Sequence, residues 1–167
     1  IKRFTDNITV LYDGDAAGIK ASLRGIDMIL EGGLNVKAVV FPPGEDPDSY
    51  SRKVGSLAFK EYLEEKAQDF IAFKIGLYAE EAAKDPIKQA DLIRQVVSSL
   101  GKIPDPIIRS VYIKQSANLL DIDEAIIPTE QNKIYVKNEK EKYFREQRES
   151  ETETNFEDLL PTKETPA

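Results

Sequence analysis

Two short β-rich runs with a helical period between them set the first constraint on what this chain can fold into. Residues 8–12, Ile-Thr-Val-Leu-Tyr, are bounded by Asp6-Asn7 and Asp13-Gly14 and read as a buried strand. Residues 16–31 switch to helical spacing. Ile19, Leu23, Ile26 and Leu30 mark one face, with Lys20, Arg24, Asp27 and Glu31 elsewhere around the helix. Gly32-Gly33 supply the stop, and residues 36–41, Val-Lys-Ala-Val-Val-Phe, form a second strand ended by Pro42-Pro43-Gly44. Strand, helix, strand with short connections is a βαβ unit. The two strands are expected to be parallel, with a right-handed crossover.

Both strands end in acid. Asp13 and Asp15 stand two residues apart, and in extended backbone such residues point the same way. Gly14 between them removes a side chain where a phosphate or a hydrated metal must approach. After the second strand comes Gly44-Glu45-Asp46-Pro47-Asp48, in which Pro47 biases Asp46 toward extended backbone and so aims Asp46 and Asp48 to one side. Ligands of open α/β sheets bind outside the carboxyl ends of the strands, which puts both acidic pairs at one edge. Four carboxylates gathered there repel unless cations neutralise them, and hard oxygen ligands suit Mg²⁺ or Mn²⁺. The same residues also have a plainer reading. Asp-Gly and Gly-Glu-Asp-Pro are common turn sequences, and Asp15 is placed to cap the following helix. Spacing alone leaves both readings open. Glu45 reads as a turn residue or an outer neighbour of the cluster. Lys20 and Arg24, one turn apart on the first helix, either meet phosphate or form a solvated face, and Arg52 and Lys53 pose the same choice. Tyr12 and Tyr50 flank the two motifs as core or rim residues.

From residue 56 the period stays helical. Phe59, Leu63, Phe70, Ile71, Ile75, Tyr78 and Ala82 mark one long or broken helix. Asp85-Pro86 opens the next, which runs through Ile93, Val96, Val97 and Leu100 and ends at Gly101. Pro104-Asp105-Pro106 opens a third with a stripe of Ile108, Val111, Tyr112 and Leu119, and Asp123 caps a short turn through Ile127. After Pro128 apolar residues are sparse. Residues 129–167 hold 7 Lys/Arg against 10 Asp/Glu and read as a solvated linker, with transient helix near residues 138–149. Lys137 to Arg148 mixes both signs and reads as a solvated face. Phe156, Leu159 and Leu160 are either a short docking motif or isolated apolar residues. No internal repeat is apparent.

Composition removes several chemistries. The chain has no Cys and no His, so disulfides, Cys/His zinc sites, thiol nucleophiles and histidine bases are excluded for this piece. Its net charge of −7 argues against a generic basic nucleic-acid coat. No apolar run reaches the roughly 18–20 residues that span a membrane. The first residues, Ile1-Lys2-Arg3-Phe4, are neither a signal nor a transit peptide, and without a Met they suggest a start inside a larger protein.

Asp13-Gly14-Asp15-Ala16-Ala17-Gly18, followed by a helix with Ala21 and Arg24, resembles the aspartate motif of Toprim domains. That fold is shared by bacterial primases, type IA and type II topoisomerases, recombination mediators and some nucleases. Phe41-Pro42-Pro43-Gly44-Glu45-Asp46-Pro47-Asp48-Ser49-Tyr50, at its spacing from the first motif, resembles the version in bacterial (DnaG-type) DNA primases. The motif resemblance covers residues 8–55; residues 56–128 match in pattern and the tail in position. It implies an α/β Toprim fold (a partial parallel sheet built on βαβ), then an all-α helical subdomain and a disordered tail. The corresponding parts are residues 1–56, the C-terminal half of a Toprim domain; 57–128, a helical subdomain of the polymerase core; and 129–167, a linker.

By that resemblance Asp13 and Asp15 are catalytic metal ligands and Asp46 and Asp48 belong to the same Mg²⁺ or Mn²⁺ cluster, while for Lys20 and Arg24 the phosphate and solvated-face readings both stay open. The implied reaction is nucleotidyl transfer in primer synthesis. Its implied partners are a single-stranded DNA template, ribonucleoside triphosphates and a replicative helicase. The helicase is expected to dock on a domain beyond residue 167, and the setting is the bacterial cytoplasm. Toprim sites also use a glutamate on an earlier strand, and primases carry a separate zinc domain; neither lies in these 167 residues. The chain alone is therefore expected to make no primers. The alternatives are another Toprim enzyme, a topoisomerase or nuclease, and a non-catalytic helicase-docking adaptor.

Overall fold

The computed structural model describes residues 4–157, apart from the side chains of residues 16, 17, 21, 22, 24 and 149–157. The chain divides into two compact units, Ile1–Glu130 and Gln131–Ala167. In the first, strand β1 (Asn7–Tyr12) leads into helix α1 (Ala16–Glu31) and strand β2 (Asn35–Val40). β1 and β2 pair in parallel from Asn7↔Asn35 to Tyr12↔Val40. The βαβ expectation holds, and the four apolar positions of α1, Ile19, Leu23, Ile26 and Leu30, are all buried. Asn35 closes the start of the pair, its amide donating to the Asp6 carbonyl (2.7 Å) and its side chain to Asn7 Oδ1 (3.0 Å).

The parallel pair is part of a mixed sheet, with a third strand that the sequence reading did not include. A two-residue strand β3 (Gln68–Asp69) pairs antiparallel with β2 through Lys37↔Asp69 and Ala38↔Gln68, so β2 is the central strand. Two residues are too short to show a period of two, so β3 leaves no mark in the hydrophobic pattern. It also breaks the helical run after residue 56 into α3 (Ser56–Lys66) and α4 (Phe70–Ala82), with Asp69 capping α4 by accepting from the Ala72 amide (2.9 Å). A further short helix, α2 (Pro47–Val54), precedes α3. Phe41, just past β2, is 2 % exposed and packs against Tyr50, Phe59 and Tyr62. Tyr62 Oη donates to the Val40 carbonyl (2.8 Å), tying α3 to the end of β2.

Helices α5 (Pro86–Gly101) and α6 (Pro106–Leu120) complete the first unit, each with an Asp cap and Pro at its start, as their sequences predict. Their core is Phe70, Ile71, Val96, Val97, Leu100, Leu120 and Ile127. The expected α6 stripe is only partly correct. Val111 is 63 % exposed and Leu119 50 %, while Ser116, Ala117 and Leu120 face inward. Small residues there fill the narrow gap against α4 and α5.

Residues 129–157 also depart from expectation. They continue helix α7 (Ile126–Glu157), which begins before Pro128. Pro128 lies in the first turn, where an amide donor is not needed, and so it does not break the helix. The mixed charges supply i,i+4 pairs such as Lys137–Glu141 (3.8 Å) and Lys142–Glu146 (3.9 Å). The side chain of Phe156, and Leu159 and Leu160 altogether, lie outside the described residues. No helix among the described residues is long and apolar enough to cross a membrane.

Candidate active site

The two acidic motifs meet through backbone. At the end of β1 the Asp15 amide donates to the Asp13 carbonyl (2.8 Å), folding Asp13-Gly14-Asp15 into a tight turn. A Cβ on Gly14 would lie 2.8 Å from the Pro42 carbonyl oxygen, 2.8 Å from Pro43 Cα and 2.9 Å from the Phe41 carbonyl oxygen. Gly14 is thus the point where the first motif rests on the segment leading into the second. Both motifs occupy the carboxyl edge of the parallel pair. The reason for Gly is this contact with protein backbone as much as room for a ligand.

Asp13 and Asp15 are exposed on that edge. The Asp15 carbonyl accepts from the Ile19 amide (3.0 Å), and its carboxylate lies over Gly18, 3.3 Å from where a Cβ there would stand. The second motif begins with a turn in which the Glu45 amide donates to the Pro42 carbonyl (3.0 Å), with Gly44 at φ 82°. Asp46 has φ −112° and ψ 169°, the extended state expected before Pro47. Pro47, however, opens α2, so the alternation that was to aim Asp46 and Asp48 together does not apply. Asp46 caps the helix instead. Its Oδ1 accepts from the Ser49 amide (2.7 Å) while its own amide donates to Ser49 Oγ (3.0 Å), a capping box. Asp48, in the first turn, pairs with Arg52 one turn on (2.7 Å), both side chains well exposed.

Glu45 is the best-held carboxylate of the group. It accepts from Lys53 Nζ (2.6 Å) and from Ser49 Oγ (2.9 Å), and only 20 % of its side chain is exposed. The Lys53 ammonium and then the Ser49 hydroxyl hold its carboxyl below the usual range, and Glu45 in turn raises Lys53. The repulsion expected among the acids is therefore partly relieved by α2's own cations. Among the described residues no three carboxylates converge in a way that could hold a metal. The structure brings the two motifs to one edge but leaves their acids as two pairs.

The basic candidates divide. Lys20 does not face the acidic edge; it pairs with Glu81 of α4 and sits 4.8 Å over the Tyr78 ring, and Glu81 raises its pKa. The side chain of Arg24 lies outside the described residues. Tyr12 stacks on Phe73 (5.6 Å) and Tyr50 tilts against Tyr62 (4.6 Å), so both belong to core and rim. One cluster went unread in the sequence. Lys74, 5 % exposed, donates to Ser99 Oγ (2.8 Å), and Ser99 Oγ donates to Asp27 Oδ1 (2.9 Å). The available signal was a lone lysine inside the apolar run Phe70-Ile71-Ala72-Phe73-Lys74-Ile75.

Comparison with known proteins gives two family matches. Residues 1–51 match a Toprim-like model, and residues 73–125 match the DnaB-helicase binding domain of primase. The DNA primase of Staphylococcus epidermidis is 30 % identical over 135 residues, covering 81 % of this chain. The chain spans only 23 % of that relative's length. A crystal structure of a DNA primase domain from Pseudomonas aeruginosa superposes with a TM-score of 0.64 at 27 % identity, over 78 % of this chain and 42 % of that one. A DnaG primase catalytic domain bound to single-stranded DNA gives 0.59 at 26 % identity, over 70 % and 39 %. The helicase-binding match falls on α4–α6. Apolar stripes in a helical region look the same whether they serve a core or a partner.

Proposed function

The chain belongs to the bacterial, DnaG-type DNA primase family, and from that premise we propose that it carries part of the apparatus for RNA primer synthesis in DNA replication. The reaction is nucleotidyl transfer, in which a primer 3′-hydroxyl attacks the α-phosphate of a ribonucleoside triphosphate and pyrophosphate leaves. The observation that supports this reading best is the seating of Gly14 on the Phe41–Pro43 backbone, which sets Asp13 and Asp15 beside the turn that bears Asp46 and Asp48.

In this reading Asp13, Asp15, Asp46 and Asp48 bear on Mg²⁺ or Mn²⁺, the ions that hard oxygen ligands favour. A cation held there would supply stabilisation of charge on the transferred phosphate. As folded here, two separate pairs do not make a cation site, so further ligands or substrate phosphates are needed to complete one. The chain's own contribution is to hold two acidic pairs at one edge, with Glu45, Lys53 and Ser49 fixing the second. Single-stranded DNA is the proposed template, in keeping with the DNA-bound catalytic domain that the chain resembles. Helices α4–α6 are the proposed contact for a replicative helicase, and the setting is the bacterial cytoplasm.

A full-length primase carrying this sequence tests the reading. Asp13→Ala/Asp15→Ala is expected to abolish template-directed RNA synthesis while helicase binding persists. Retained synthesis with lost helicase binding would favour the adaptor reading instead. The 167-residue chain alone is expected to make no primers.

A further inference from the structure

Three residues on the polar side of α1 contact the helical region. Lys20, Asp27 and Glu31 are spaced seven and four residues apart, which places them in one line along the helix. Each has a partner from the helical region. Lys20 pairs with Glu81 of α4, Glu31 with Lys102 just past α5, and Asp27 accepts from Ser99 of α5. The outer two pairs are partly exposed. The middle contact is different in kind.

Ser99 is fully buried and Lys74 is 5 % exposed. A hydroxyl has one hydrogen, and Ser99 commits it to Asp27 (2.9 Å), leaving its lone pairs to accept from Lys74 (2.8 Å). The contact therefore runs one way, from ammonium through hydroxyl to carboxylate. A second Lys74 donor points to the Gln95 carbonyl (3.4 Å). Beside the relay lies a polar cavity of about 400 Å³, lined by Lys20, Asp27, Lys74, Tyr78, Gln95 and Ser98. An ammonium held in such a place is costly unless its partners stay put, so the relay favours one placement of α1 over small shifts along its axis.

We propose that Lys74 and Ser99 are positioning residues that, through Asp27, fix α1 against the helical region and thereby fix the Asp13-Gly14-Asp15 turn at its start. The Asp15 carbonyl is held by the Ile19 amide in the first turn of α1, so any movement of the helix is passed directly to the acidic pair. All four partners, Lys74, Glu81, Ser99 and Lys102, lie in the stretch that matches the helicase-binding family. The same stretch would thus serve as the back wall of the acidic edge. What the positioned turn does rests on the primase reading; the positioning itself does not.

Native-state hydrogen exchange on the 167-residue chain, without metal, nucleotide or DNA, tests it. The amides of Ile19 to Leu23 in α1 are compared with those of Val36 to Val39 in β2. Lys74→Met removes the charge and keeps the length; Asp27→Asn keeps the acceptor and the shape. Each is expected to lower protection in α1 about tenfold more than in β2, on the scale of a contact between coupled neighbours. The double variant should lose no more than the worse single one, and Lys74→Arg, for which the cavity has room, should restore most of the protection. Equal losses in α1 and β2, or fully additive effects, would overturn the proposal. Asp27 is only half-buried, so Asp27→Asn decides the matter alone if Lys74→Met does not fold. A primase assay failing for other reasons leaves this result untouched.

Discussion

Gly14→Ala is the most direct test of how the two acidic motifs are joined. The added Cβ would lie 2.8 Å from both the Pro42 oxygen and Pro43 Cα, against an ordinary contact of 3.4 Å or more, so the facing chain must retreat by about 0.6 Å. All three close atoms are backbone, two of them on prolines whose φ is fixed, and none can swing away as a side-chain end would. Overpacking of this kind costs about 1–3 kcal/mol. The narrower unfolded ensemble of Ala returns about 0.4–1 kcal/mol. The net expectation is a loss of about 1–2 kcal/mol. Gly25→Ala supplies the control, because it sits in the middle of α1 with nothing within 4 Å of its Cβ position. There Ala should gain about 0.5–1 kcal/mol through helix propensity. Urea denaturation of both variants reads the sign. Opposite shifts in midpoint at an unchanged slope are expected. If Gly14→Ala is as stable as the parent, the motifs are not in backbone contact and the account of the joined edge is wrong.

Asp46→Ala removes the capping box of α2 and should cost about 1 kcal/mol in the same denaturation experiment, with Asp46→Asn retaining most of the stability; equal losses would show that the cap is not what Asp46 contributes. Burial pushes the Lys74 ammonium below its ordinary pKa of 10.5, with Asp27 opposing. The unfolded chain then holds the proton to higher pH than the folded one. Stability contributed at this site rises as pH climbs from the depressed value toward 10.5, and the parent-minus-Lys74→Met difference should follow that rise. Glu45 runs the other way. Its carboxyl is held below 4.5 by Lys53 and Ser49, so its stabilisation is present above that value and is lost as pH falls through the lower folded one. Lys53→Gln should flatten that acid limb, and an unchanged limb would refute the pairing.

The fold was legible where local and tertiary signals agreed. The face of α1 carrying Ile19, Leu23, Ile26 and Leu30 is buried as its period indicates, and Asp85-Pro86 and Asp105-Pro106 start helices where capping chemistry says they should. It was illegible where an element is too short or too neutral to leave a pattern. β3 owes its existence to pairing with Lys37 and Ala38 of β2, a contact that two residues cannot announce. The helix of α7 went unread because low hydrophobicity argues for disorder, yet its side chains of mixed sign also suit a helix. α2 was missed because Pro47 was credited only with what it does to the residue before it. The same ring makes Pro a good first residue of a helix.

That error about Pro47 bears on the site more than on the fold. Gly44-Glu45-Asp46-Pro47-Asp48 reads either as a turn or as a ligand set, and the bonds observed at Asp46 are those of a helix cap, which stands beside the ligand reading. The two are not exclusive. Asp46 Oδ1 is engaged by the Ser49 amide, while a carboxylate has a second oxygen with lone pairs to spare. A cap that fixes one oxygen fixes the direction of the other, which is what a ligand in a precise site requires. Asp48 pairs with Arg52 at an exposed position, a weaker constraint than the cap. On that reasoning Asp46→Asn should weaken Mn²⁺ binding by a full-length primase carrying this sequence, even though it leaves the cap and the fold intact. A variant with unchanged Mn²⁺ affinity would confine Asp46 to its structural role.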